Sequence, residues 1–437
     1  MATLLPALES QNTATSGFVD DTNILAWSSS TKENCRLLEE KHKICEDWAR
    51  RHGARFAPEK YNLIHFTRRP RFHNMQASIQ IQGHTTNPAN QLRILGLWVD
   101  PALRWRKHVQ AILRKAEQNM ASCQRLTAST WGADFRQSRL LYTAIVRPVF
   151  TYGSQVWSLG ERACPSKGLV APLAKIQNQC LRKVTGAYKS TPTRMLEHET
   201  AIPPIDLYIQ GLRTSYLGKS AQYPVQKVIA SAVARARESV PAHKGIRPGN
   251  EPNYRARDEQ LATQWEGEKS FVEQLWKERW NNQVVGHSGR PQPAGQPKEW
   301  SATKSAVKHP PKLIHYRLTR AQSSIATQLR SEHIGLQGYL SWRKVLGYTN
   351  TSCPYGYRSQ NVRHALLVCP RWSLGRGEWM AKARNRTIRA LLNNAEDLRR
   401  ITNWILEKGW LEQYRLVGAV QEERTRRSAT RPARSGG

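Results

Sequence analysis

The chain's 437 residues suffice for roughly two to four domains with a sizeable buried core. Lys and Arg number 67 against 33 Asp and Glu, a formal net charge of +34 that suits a polyanionic partner far better than a small metabolite. No run of about 18 apolar residues occurs, which argues against a membrane span. The opening MATLLPALES has no basic segment ahead of its apolar run, so a secretory signal is not expected, and the seven Cys read as free thiols in a reducing compartment.

In chain order, residues 14–27, ATSGFVDDTNILAW, predict strand, tight turn, strand, with Asp20 and Asp21 at the turn. Residues 31–52 predict an amphipathic helix, N-capped by Thr31, with Leu37, Leu38, Ile44, Cys45 and Trp48 on one face and Gly53 as its stop. Phe56 to Phe66 reads as a short strand passage. The alternation SIQIQ at 78–82, ending at Gly83, reads as a hairpin strand, and Leu92 to Val99 as a further strand ended by Asp100-Pro101. From 104 the period turns helical: Val109, Ile112, Ala116, Met120 and Cys123 recur on one face, while Arg106, Lys107, Arg114, Lys115 and Arg125 fall opposite. A second helix is predicted over 135–147, broken at Pro148, and a third over 170–185. The stretch 240–312 is Pro/Gly-rich linker with one helix at 268–281; helices over 317–333, 335–346 and 378–408 follow, then an Arg-rich tail from 421.

Gly17-Phe18-Val19-Asp20-Asp21 places two adjacent carboxylates at a hairpin tip, an arrangement suited to hard oxygen ligation of a divalent metal, although an Asp pair in a turn is by itself ordinary turn chemistry. The order of the pieces around it is more specific. After the helix come Gly53 to Phe66, then Leu92-Arg93-Ile94-Leu95-Gly96-Leu97-Trp98-Val99-Asp100, then a basic helical region containing LLYTAIVRPVFTYGSQVW and IQNQCLRKVTGAY.

This order resembles the C-terminal part of the reverse transcriptases of non-LTR (LINE-type) retrotransposons, from motif C (Phe18 to Asp21) through motif D (Gly53 to Phe66) and motif E (Leu92 to Asp100) into the thumb. The resemblance implies an α+β fold: a remnant of the palm sheet, then a mostly helical thumb and a helical C-terminal region. The implied domains are a partial palm at 1–101, a thumb at 102–215, a linker at 216–312, a C-terminal region at 313–415 and a basic disordered tail at 416–437. It also implies an RNA-directed DNA polymerase that uses Mg²⁺, held by Asp20 and Asp21, with Lys60 as the motif D lysine beside the departing pyrophosphate and Leu95-Gly96 as the primer-grip turn. RNA template and DNA primer would be its partners, bound through Arg106, Lys107, Arg114, Lys115 and Arg125, and its location intracellular and nuclear.

Nineteen residues precede Asp20, too few for the fingers and for the family's further metal-binding Asp. The expectation is therefore no catalysis by this chain alone, unless a separate upstream fragment supplies those parts. The alternative is an exapted, non-catalytic nucleic-acid-binding protein. Near the C-terminus, Cys353, His364 and Cys369 resemble three ligands of the Cys/His knuckle that closes many LINE-type proteins, with Tyr355 where a second cysteine is expected. Structural Zn²⁺ takes four N/S ligands, so zinc binding should be weakened, with His333 a conceivable replacement.

Overall fold

A computed structural model of the chain describes residues 3–67, 70–158, 167–220, 268–282, 314–373 and 375–415. Most of the expected linker and the Arg-rich tail lie outside the described residues. Among the described residues the architecture is α+β: many helices and three separate two-stranded antiparallel ladders. The chain divides into two compact units, residues 1–111, 153–169 and 211–268 in the first and 112–152, 170–210 and 269–437 in the second.

In the first unit a short helix α1 (Leu4–Leu8), absent from the sequence expectation, buries Leu4 and Leu8 against Cys45, with Ile24, Ile44, Trp48 and Phe56 around them. The hairpin follows: β1 (Thr13–Phe18) pairs with β2 (Asp21–Ala26) in the register Thr13 to Ala26 through Phe18 to Asp21. Helix α2 (Thr31–His52) begins one residue earlier than the Thr31 cap predicts, because the Ser30 side chain accepts from the Glu33 amide, and it ends at Gly53 in the left-handed conformation. Cys35 on its buried face meets Leu63, Ile79 and Ile81. The strand expected over 56–66 does not form. Pro58–Lys60 closes a 3-10 turn, and the only pairing in this stretch is a single parallel bridge from Leu63 to Pro88.

The ladder β3 (Ile79–Ile81) with β4 (His84–Thr86) matches the predicted hairpin, turning through Gln82 and Gly83, both at positive φ. The single strand expected over 92–99 is instead a hairpin, β5 (Leu92–Ile94) with β6 (Leu97–Val99), turned at Leu95 (φ 46°) and Gly96 (φ 86°). Two consecutive positive-φ residues match the twist of flanking strands, and that turn type outweighs the apolar run. Gly153 is fixed by packing against this hairpin: at φ 60°, an added Cβ would sit 2.6 Å from Leu97.

In the second unit, helix α4 (Phe135–Leu141) starts on an Asp134 capping box. The predicted break at Pro148 does not occur. A π-helical turn over Tyr142–Val146 leads into α5 (Arg147–Thr151) with Pro148 in its first turn. Widening the backbone ahead of a proline accommodates its missing N–H and bulky ring. Helix α7 (Lys167–Thr185; its start, through Leu169, belongs to the first unit) ends near Gly186, where a Cβ would lie 2.1 Å from Ser324 Oγ. Between α5 and α7, α6 (Ser154–Trp157) lies in the first unit; beyond α7 come α8 (Thr193–Thr200) and α9 (Ile205–Ser220), and α10 (Glu268–Asn282) matches the helix expected at 268–281.

The C-terminal part of this unit is organised around α11 (Arg320–Ser331), every residue of which is buried. A helix buried on all sides is normally apolar. This one carries Gln322, Ser324, Thr327, Gln328 and Arg330, and each of these five side chains has a partner, the buried Ser323 hydroxyl being left without one among the described residues: Ser324 Oγ donates to the Ser129 carbonyl at 2.7 Å, and Gln328 Nε2 to the Gly186 carbonyl at 3.0 Å. Arg320 donates to the carbonyls of Ala128, Lys183 and Val184, capping the C-terminal end of α7 with a cation. Then follow α12 (Gln337–Trp342), α13 (Arg376–Ala381), α14 (Ile388–Asn393) and α15 (Ala395–Glu407). The one helix expected over 378–408 is thus three, because the side chains of Thr387 and Asn394 cap new helix starts.

Glu199 of α8 is fully buried and receives Arg330 Nε at 2.8 and 3.0 Å and His315 Nε2 at 2.9 Å. Arg330 also reaches the Leu392 carbonyl at 2.6 Å and Asn393 Oδ1 at 2.7 Å, and the His315 ring stacks on Phe135 at 3.9 Å. Burial alone would raise the Glu199 pKa, but the Arg330 charge and the His315 hydrogen bond outweigh it and hold the carboxyl well below its ordinary range. Its contribution to stability is therefore fully present above the unfolded value near 4.5 and is lost as pH falls through about 2. Arg330→Met should cost about 3–5 kcal/mol in a urea melt, since it strands a buried carboxylate. It should also remove the stability change between pH 4.5 and 2. A near-neutral result would show that the pair does not hold the unit together.

Candidate functional site

The hairpin carboxylates come first. Only Val19 and Asp20 separate β1 from β2, so this is a two-residue loop, and Asp21 is the first residue of β2. Val19 has φ 56°. Two-residue hairpin loops call for positive φ at the first central position, where glycine is usual, and a β-branched residue there is a true outlier. Such strain collects at functional sites. Asp20 and Asp21 are exposed beside Phe18 and Val19, which are 61 % and 79 % exposed. Among the described residues no further carboxylate, His or Cys joins the pair in a three-ligand group. One hydrated Mg²⁺ fits two carboxylates, since that ion keeps several waters. A two-ion clamp needs further bridging oxygens than this pair offers.

Lys60 ends the 3-10 turn Pro58–Lys60 with its side chain exposed, and no ion pair joins it to Asp20 or Asp21. The Leu95-Gly96 turn is a hairpin tip with Leu95 45 % exposed.

The basic helix α3 (Arg106–Gln124) buries Val109, Ile112 and Ala116, as its spacing predicts. In the first unit Arg106 is exposed, and Lys107 Nζ lies 3.9 Å from the centre of the Trp98 ring, a cation–π contact with no marker in the sequence spacing. In the second unit Arg114, Lys115 and Arg125 are exposed, with Arg125 one residue beyond the helix.

The C-terminal cluster is the most closely assembled group. Cys353 lies in the turn Cys353-Pro354-Tyr355-Gly356, closed by the Gly356 amide on the Cys353 carbonyl at 3.0 Å and by Gly356 at φ 86°. His364 begins a π-helical turn (His364–Val368), and the Cys369 amide donates to its carbonyl at 2.8 Å, so the turn carries both residues. The ligand atoms of Cys353, His364 and Cys369 all lie within 4.8 Å of one another, and the two Sγ atoms are 3.7 Å apart. Two thiolates at ~2.3 Å from a tetrahedral zinc stand about 3.8 Å apart, so the spacing is that of a tetrahedral edge. All three side chains are buried, and neither His364 ring nitrogen has a hydrogen-bond partner. An unpaired buried polar atom is costly, and a metal would satisfy one of them. Burial lowers the His364 pKa, favouring the neutral imidazole, and raises that of the Cys369 thiol.

Tyr355 is 52 % exposed. His333 does not join the cluster; its Nδ1 is 3.1 Å from Ser190 Oγ and its ring sits against Tyr339 and Trp342. Two neighbours had no signal in the sequence: Tyr357 stacks on the His364 ring at 4.1 Å, and the Arg376 guanidinium donates to the carbonyls of Leu367 and Cys369.

The hairpin strain is measurable. Val19→Gly should raise stability by about 1 kcal/mol in a urea melt, because strain of ~1–3 kcal/mol exceeds the ~0.5–1 kcal/mol entropic cost of glycine. A destabilised variant would show that Val19 is relaxed in place.

The chain is 24% identical over 168 residues to the "Probable RNA-directed DNA polymerase from transposon BS" of Drosophila melanogaster, a match covering 38% of this chain and 18% of that protein. It is 22% identical over 222 residues to the "RNA-directed DNA polymerase from mobile element jockey" of the same fly, covering 50% of this chain and 23% of that protein. It is 28% identical over 169 residues to the "Probable RNA-directed DNA polymerase from transposon X-element", covering 39% and 18%. The match thus spans about a fifth of the length of these relatives. No family model and no solved structure matches. Over 38% to 50% of its length the chain is thus similar to RNA-directed DNA polymerases of non-LTR retrotransposons.

Proposed function

We propose that the chain is the nucleic-acid-binding rear portion of a non-LTR retrotransposon reverse transcriptase and that it does not polymerise by itself. The observation that carries this reading is the Phe18–Asp21 hairpin: a strained two-residue tip presenting two carboxylates, in a chain related to RNA-directed DNA polymerases. In the complete enzyme Asp20 and Asp21 would hold Mg²⁺, which activates the primer hydroxyl and stabilises the leaving pyrophosphate. Lys60 would place a cation beside that pyrophosphate. Arg106, Lys107, Arg114, Lys115 and Arg125 would contact the phosphates of the RNA template and DNA primer.

The non-catalytic reading is favoured by one specific finding: among the described residues no third ligand stands with Asp20 and Asp21. Catalysis would then need a further metal-binding carboxylate, which a separate polymerase fragment could supply. A basic protein that only binds nucleic acid is the second reading. The two separate on adding such a fragment, which restores primer extension only in the first.

The purified chain should give no primer extension on an RNA template with Mg²⁺; dNTP incorporation abolished by Asp20→Ala would overturn this. Duplex binding should weaken by orders of magnitude between ~50 and ~200 mM salt, as expected when several phosphates are contacted. Replacing Arg114 and Lys115 together by Gln should flatten the log–log salt slope by up to about two. An unchanged slope would remove α3 from the interface.

A further inference from the structure

Between α3 and α4 the chain makes a tight hairpin that neither the Asp20-Asp21 tip nor the basic face of α3 accounts for. The Ala133 amide donates to the Leu126 carbonyl at 3.0 Å, Thr127 bridges to Gly132, and the Ala128 amide donates to the Trp131 carbonyl at 2.9 Å. Residues opposite one another in an antiparallel pair share a face. Leu126 and Trp131 therefore lie on one face of the hairpin and Thr127 on the other. Thr127 is buried, and its hydroxyl accepts from Ser138 Oγ at 3.3 Å. The opposite face looks outward: Leu126 is 56 % exposed and Trp131 is 59 % exposed. The tip is held in this position rather than left to fold back over its indole. Arg320 Nε donates to the Ala128 carbonyl at 2.5 Å and Ser324 Oγ to the Ser129 carbonyl at 2.7 Å, both from the buried helix α11. A large apolar ring is thus presented to solvent on a backbone pinned at two consecutive residues.

The neighbouring charges say what such a ring would meet. Arg125 directly precedes Leu126, and Arg136 follows in the first turn of α4; both are exposed. A fixed aromatic face flanked by cations suits single-stranded nucleic acid: the cations follow the backbone while a base stacks on the ring, whatever the sequence. A base inside a duplex is already stacked on both faces and has none to offer. We infer that Trp131 is a stacking site for an unpaired base, with Arg125 and Arg136 taking the neighbouring phosphates. The site rests on the reading of this chain as nucleic-acid-binding and adds to it a preference, for unpaired strand over duplex. A protein is the other occupant that an exposed apolar face could take. A stable protein interface buries about 800 Å² on each side, more than two side chains offer. Flanking arginines in a chain of net charge +34 suit a polyanion better.

Fluorescence anisotropy of the full chain with three labelled ligands tests the site: a long blunt duplex, the same duplex with a short single-stranded tail, and that tailed duplex with an abasic tail. The two tails carry the same charge and differ only in having bases to stack. The parent chain should bind the base-bearing tail more tightly than the abasic one by roughly 5- to 150-fold, the range for one stacked base. Trp131→Ala should abolish that difference and leave blunt-duplex affinity unchanged, whereas Trp131→Phe should keep most of it. Circular dichroism of both variants should match the parent, because Trp131 is exposed. If the parent binds the blunt duplex but treats the two tails alike, or if Trp131→Ala keeps the difference, the stacking site falls and the nucleic-acid reading stands. If the parent binds none of the three ligands, both fall. Equal weakening of all three ligands by Trp131→Ala would mark the residue as structural and overturn the inference. So would loss of self-association in sedimentation with tail discrimination unchanged, which would assign the face to a second copy of the chain.

Discussion

The second unit depends on a buried carboxylate–guanidinium contact, Glu199 with Arg330, completed by His315. Three segments distant in sequence meet there: α8, α11 with the stretch just before it, and α14, which supplies the Leu392 carbonyl and Asn393 side chain. Such a pair seldom adds net stability over an apolar substitute, but losing one member leaves a bare charge in the interior. It therefore acts as a register pin. The unit closes only when α11 presents Arg330 to Glu199, and the other polar groups of α11 follow from that placement: Gln328 to the Gly186 carbonyl, Ser324 to the Ser129 carbonyl, Arg320 to the end of α7. The tight fit of Gly186 against Ser324 belongs to the same register.

Local signals were legible in the sequence where a single chain segment decides the outcome. The Asp20-Asp21 hairpin, the Gly53 stop, the hairpin around Gly83 and the buried stripe of α3 all follow from turn chemistry and periodicity. Elements that depend on compensation were not. Pro148 suggests a helix break, and only the preceding π-helical turn avoids it. The apolar run 92–99 suggests one strand, yet Leu95 and Gly96 fold it in two. Residues 378–408 keep a helical composition across two internal caps, at Thr387 and Asn394. The polar residues of α11 suggest a solvated face; their burial depends on partners a hundred or more residues away in sequence, such as Glu199 for Arg330.

The candidate sites divide the same way. Asp20, Asp21 and the three Cys/His residues were found by motif, and the fold places each set together. What the motif could not supply was the strain at Val19, the Trp98 ring under Lys107 and the retained tetrahedral spacing of Cys353 and Cys369. These are features of conformation, invisible to residue identity. They describe a strained hairpin tip beside two exposed carboxylates, and a basic helix whose apolar stripe is packed away while Arg106, Arg114 and Lys115 are exposed.

We propose that the polyanion meets the chain at α3, and a map of contact positions tests this most directly. A photo-crosslinkable RNA–DNA primer–template, bound to the full chain at moderate salt and digested to peptides, reports where the phosphates lie. Crosslinks concentrated between Arg106 and Arg125 are the predicted result. Crosslinks confined to the Arg-rich residues after 421, with none on α3, would contradict it.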